Sequence, residues 1–194
     1  MKDQLSHEKS LAIISDMIAT AKGNVNQSFF HLILWGWAII IISLTQFYLM
    51  QFTDINKNDL QLVWLLTIPT GLVSAIYGYK EGKKEKSTSH IDSIYKWIWF
   101  AFIVSIISIM IVSNDNMQSI PLLILIMAGF ATFLSGKLIR FNPLVWGGIG
   151  FWLWSILGFY LQDDMVLAIN AAAIFTGYII PGYLLKNKFK KDGI

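Results

Sequence analysis

Six apolar runs, none with a charge in its middle, constrain this chain more than any other feature. They occupy about residues 29–52, 60–79, 94–113, 117–136, 144–161 and 165–185, and short polar or charged turns separate them. A helix needs roughly 20 apolar residues to cross about 30 Å of hydrocarbon. Backbone polar groups left unpaired in lipid are costly, so such runs fold as helices. Lys96 stands close enough to the start of its run to reach the headgroups. The predicted fold is an all-α integral membrane protein with six transmembrane helices arranged as three hairpins over 29–185. Only 14% of residues are charged, against about 25% in soluble domains. Outside the spans lie residues 1–28, predicted as an amphipathic cytoplasmic helix, and a basic cytoplasmic tail, 186–194.

The positions of lysine and arginine predict the threading. Lys2, Lys9 and Lys22 precede the first run, Lys80, Lys83, Lys84, Lys86 and Lys96 surround the second turn, Lys137 and Arg140 form the fourth, and Lys186, Lys188, Lys190 and Lys191 close the chain. Of the 15 basic residues, Lys57 alone lies in a turn of the opposite set. Short loops rich in Lys and Arg stay in the cytoplasm. Both termini and the Lys80–Lys86 turn are therefore expected inside, while Asp54, Asp59, Asp115, Asp163 and Asp164 are expected outside. A net charge of +3 distributed in this way points to anionic lipid headgroups, not nucleic acid. With no cysteine, disulfide and thiolate chemistry are excluded.

Within 1–28, Leu11, Ile14, Met17, Ile18 and Ala21 share one helical face. Ser6 suits the start of that helix and Gly23 its end. Residues 6–22 are thus a candidate contact for a cytoplasmic protein partner; lipid or the protein's own turns are the alternative. A threefold pattern also runs through the spans. Trp35, Trp97 and Trp146 mark the odd spans, while Gly78, Gly136 and Gly182, each followed by lysine, mark the even ones. A triplicated hairpin would produce it, and so would the ordinary preference of tryptophan and lysine for membrane interfaces.

Polar residues recur at one depth. Gln46, Thr67, Ser108 and Asn170 all lie in the outer third of their spans, which makes them a candidate polar cavity; the alternative is hydrogen bonding between helices, worth about 1–2 kcal/mol or less per contact. Ionisable groups are absent from the span centres, which disfavours proton-coupled transport. His31, just inside the first span, is a candidate pH-sensitive residue of the inner face, with an interfacial hydrogen-bonding role as the alternative. His7, His31 and His90 lack the spacing of a metal motif. Gly78 to Lys84 departs from the phosphate-binding loop in both length and final residue. No catalytic residue, cofactor or metal is expected. Pro69, Pro181 and Gly182 are candidate hinges. Gly71 with Ala75, Ser74 with Gly78, Ala131 with Ser135 and Ala173 with Gly177 form small-residue seams that permit close packing inside the bundle or in a homo-oligomer.

The run LAIISDMIATAKGN at Leu11–Asn24, together with Leu34-Trp35-Gly36-Trp37, IYGYKEGKK at Ile76–Lys84 and IPGYLLK at Ile180–Lys186, resembles a family of small uncharacterised bacterial six-span integral membrane proteins. The resemblance covers most of the chain. It implies a bacterial cytoplasmic membrane and, since that family brings no established activity, no catalytic residue. The functional expectation is a non-enzymatic sensor or scaffold engaging partners or membrane lipids at its cytoplasmic face; the alternative is a transporter or channel for a small neutral or polar solute.

The cysteine-free background makes the threading directly testable. A single Lys83→Cys variant should react with a membrane-impermeant maleimide only after cells are opened, and Asp54→Cys should react in intact cells.

Overall fold

A computed structural model describes residues 29–83, 90–112, 120–161 and 165–191. The amphipathic helix expected over 1–28 and part of the basic turn, 84–89, lie outside the described residues. Six helices are long and apolar enough to cross a membrane: Phe29–Phe52, Gln61–Gly82, Ser93–Val112, Ile120–Leu138, Asn142–Tyr160 and Val166–Lys188, the first to sixth spans. Their ends differ from the sequence expectation by up to about three residues. The second and sixth spans run on through Lys80 and Lys186, because a lysine near a helix C-terminus favours the helix and places its charge in the headgroups.

Side-chain pairs show that neighbours run antiparallel. Trp35 meets Ser74 and Gln46 meets Trp64 between the first and second spans. Ser43 meets Asn170 between the first and sixth, and Trp154 meets Thr176 between the fifth and sixth. Trp152 Nε1 donates to the Ile126 carbonyl at 3.1 Å and Ser155 Oγ to the Leu122 carbonyl at 3.1 Å, tying the fifth span to the fourth. With these directions every described Lys and Arg except Lys57 falls at one end of the bundle, and Asp54 and Asp59 at the other. Trp37, Trp97 and Trp146 stand outward near the basic end, as expected of side chains that prefer the membrane interface.

The core comes from four spans. Leu32, Ile40 and Ile42 of the first, Leu125 and Ala128 of the fourth, Leu144 and Phe151 of the fifth, and Ala173, Tyr178 and Ile179 of the sixth are buried. The apolar windows of the second and third spans contain no buried residue. The second leans on the first span, and the third on the fourth, where Trp99 and Phe102 reach the edge of the core.

Glycine sets the closest approaches. A Cβ on Gly147 would lie 2.6 Å from the Gly177 carbonyl oxygen, and one on Gly148 2.6 Å from the Phe133 backbone nitrogen. A Cβ on Gly177 would collide with the Phe151 ring. The fourth-to-fifth turn is equally tight. Phe141 N–H donates to the Gly136 carbonyl at 2.8 Å and Arg140 N–H to that of Lys137 at 3.3 Å, the paired bonds of a Schellman turn. Its left-handed position, normally glycine, is filled by Arg140 with φ 54°.

Two of the three expected hinge residues coincide with changes of helix type. The sixth span is α-helical over Val166–Ile174, π-helical over Phe175–Ile179 and α-helical again from Ile180. Ile180 N–H reaches back five residues to the Phe175 carbonyl. Pro181 supplies no N–H, and its ring crowds the carbonyl four residues earlier, that of Gly177. The wider turn suits that proline, and the Gly177 oxygen lies against Gly147 of the fifth span. Gly182, next to Pro181, is buried against Leu32 and Ile33 of the first span. Pro69 stands in the first turn of the α-helix Thr67–Gly82, just after a 3₁₀ segment, Gln61–Leu66, so the change of helix type falls where the proline supplies no N–H.

Gly147→Ala and Gly177→Ala should each destabilise the bundle by about 1–3 kcal/mol through overpacking. Gly150→Ala, which has nothing within 4 Å of the new Cβ, should leave it unchanged or up to about 1 kcal/mol more stable. Thermal unfolding in detergent separates the two outcomes.

Candidate functional site

Three groups of polar side chains lie between the spans, and the first occupies the outer third. Asn170 Nδ2 donates to Ser43 Oγ at 2.9 Å, with Asn170 only 5% exposed and Ser43 fully buried. One helical turn along the first span, Gln46 is also 5% exposed, and its Oε1 accepts from Trp64 Nε1 at 2.6 Å. Two of the four residues expected to line a polar cavity are therefore buried and bonded to neighbouring spans. The other two turn back on their own helices. Thr67 Oγ1 donates to the Trp64 carbonyl at 2.6 Å, and Ser108 Oγ to the Val104 carbonyl at 2.9 Å. Ser108 is exposed on the outer surface of the third span, so the four do not form one layer. Equal depth does not determine facing, because each residue step rotates a side chain by about 100° around the helix.

The second group joins the first two spans at the basic end. Ser74 Oγ accepts from Trp35 Nε1 at 3.2 Å and lies 2.9 Å from His31 Nδ1. The arrangement is satisfied when the Ser74 hydroxyl donates to Nδ1, leaving the imidazole proton on Nε2. That nitrogen lies over Gly78, where an added Cβ would come within 3.8 Å of it. Phe30 stacks on Tyr77 with ring centroids 3.8 Å apart, and His31 meets the same tyrosine edge-on. His31 is thus half-buried and held between two helices.

The third group lies inside the bundle. Thr132 Oγ1 donates to Tyr178 Oη at 3.4 Å, a long bond between two buried residues of the fourth and sixth spans. Ser135, one turn from Thr132, and Trp99 Nε1 of the third span are buried polar groups with no hydrogen-bond partner among the described residues. No three His, Cys, Asp or Glu side chains among the described residues come together as metal ligands. The arrangement offers hydrogen bonding between helices, and in the second group it sets one hydroxyl, that of Ser74, against one base, His31 Nδ1, while the same hydroxyl oxygen accepts from Trp35 Nε1.

Depth in the membrane, read from the sequence, was enough to single out Gln46, Asn170 and His31. It missed their partners Ser43, Trp64 and Ser74. The available signal was spacing: Ser43 lies three residues before Gln46 and Trp35 four after His31, each on the same face.

Six helices of this length and polarity, packed around one core, fit a multi-pass membrane helical bundle. Comparison with models of protein families, with curated proteins and with solved structures gave no match.

A double-mutant cycle on Ser43→Ala and Asn170→Ala, read by unfolding, should return a coupling of about 0.5–1.5 kcal/mol. Ser108→Ala should stay within about 0.5 kcal/mol of the parent.

Proposed function

We propose that this protein is a non-enzymatic integral membrane protein of a bacterial cytoplasmic membrane, a sensor or scaffold that engages partners or lipid at its cytoplasmic face. The observation that carries this reading is how the interior polar side chains are used. Gln46 and Asn170 are almost fully buried and bond to neighbouring spans, which suits a bundle held in one arrangement better than a path for solute. The concentration of basic residues at one end supports a cytoplasmic working face. Residues 6–22 and the turns after the second and fourth spans are the segments that would engage a partner.

The transporter alternative makes the opposite demand on the same residues, so one experiment separates them. Proteoliposomes containing the full chain should admit small neutral solutes such as glycerol no faster than empty liposomes. Gln46→Ala should lower thermal stability without changing that rate. In cells, removal of residues 1–22 should leave the bundle inserted while abolishing its cross-links to cytoplasmic proteins. Unchanged cross-links would overturn the scaffold reading, and a flux that Gln46→Ala abolishes would establish the transporter.

A further inference from the structure

Two buried polar atoms among the described residues, Ser135 Oγ and Trp99 Nε1, have no hydrogen-bond partner there. A group in that condition is costly, so each case calls for a physical reason. Serine and threonine in a helix have a ready remedy, and this protein uses it. Thr70, Ser105, Ser108 and Thr176 each donate to the carbonyl four residues back. Ser135, fully buried, does not turn to the Ala131 carbonyl in this way.

The two atoms belong to one region of the bundle. Trp99 lies six residues into the third span and packs on the core, and Ser135 lies three residues from the end of the antiparallel fourth, so both are near the basic end. Helical side chains lean toward the N-terminus of their helix. The Trp99 indole is thereby carried toward the basic end and the Ser135 hydroxyl away from it, to a common depth. A chain of polar side chains joins them. Trp99 and Tyr95 have ring centroids 6.2 Å apart, and Tyr95 is near enough to the Tyr178 phenol to act on it electrostatically. Tyr178 in turn receives the 3.4 Å bond from Thr132, one turn before Ser135.

None of these five side chains is charged at neutral pH, so an ion would meet no opposite charge there. Trp99 Nε1 can only donate, and the Ser135 hydroxyl has a hydrogen to give; Thr132 Oγ1, whose own hydrogen is engaged with Tyr178, can accept. Their complement is a neutral molecule with two lone pairs and a hydrogen. Both unpaired atoms are cut off from the protein's surroundings, which favours the smallest such molecule. We propose that the third and fourth spans share a binding site for one internal water, which accepts from Trp99 Nε1 and the Ser135 hydroxyl and donates to Thr132 Oγ1. Three bonds are the usual complement of an internal water. The proposal does not rest on the sensor or scaffold reading, since it needs neither a cytoplasmic partner nor residues 1–28.

A crystal structure of the full-length protein at about 1.8 Å, grown from lipid, tests it together with thermal unfolding in detergent. The parent should show one rounded peak of density within about 3.2 Å of both Trp99 Nε1 and Ser135 Oγ. Ser135→Ala and Trp99→Phe should each lower the unfolding midpoint by about 3 °C, and the double variant by no more than the larger single effect. Trp97→Phe, at an exposed tryptophan, should add independently to Ser135→Ala. The density of the parent decides the matter even should a variant fail to fold. A Ser135 hydroxyl bonded to the Ala131 carbonyl or directly to Trp99, no density between the two atoms, or an occupant larger than water would overturn the proposal. Additive effects of Ser135→Ala and Trp99→Phe would do the same.

Discussion

The contact on which the bundle depends is the approach of the fifth and sixth spans at Gly147 and Gly177. Between helices in lipid the hydrophobic effect supplies little drive, because an acyl tail is as apolar as a leucine. Attraction must come from dispersion at short range and from polar contacts. The missing side chain of Gly147 lets the Gly177 carbonyl sit where a Cβ would be, and the missing side chain of Gly177 admits the Phe151 ring. Phe151, fully buried, then meets Tyr178 edge-on with centroids 4.9 Å apart. The buried aromatic pair follows from this one crossing.

The outer spans are held differently. The second is attached to the first by two tryptophan N–H bonds, to Ser74 and to Gln46, and by the Phe30–Tyr77 stack. Such contacts are directional, so they set rotation and register even though no residue in the window is buried. The third span meets the fourth through apolar walls that leave a seam.

Much of this architecture was legible in the sequence, and the reason is physical. Lipid imposes uncharged runs of nearly uniform length, so the six spans and their common basic end could be read directly. Rotation about each helix axis could not. Gln46, Thr67, Ser108 and Asn170 share a depth, yet Gln46 and Asn170 bond to other spans while Thr67 and Ser108 bond to their own helices, since facing depends on which neighbours a helix acquires. The π turn at Phe175–Ile179 was legible only as a proline, which marks a disturbed helix without saying what form the disturbance takes. The left-handed Arg140 could not be read at all. A glycine would relieve that backbone, and only the merit of a cation at the basic end offers a reason for arginine.

The sixth span has the largest buried share of the six, and it touches the first, fourth and fifth. It also follows all of them in the order of synthesis. Until it emerges, Ser43 has no amide to receive, Thr132 no phenol, and the glycine face of the fifth span nothing to cover it. The fourth and fifth spans have their mutual contacts available before that point, so the last span to be made is the one that joins this pair to the first.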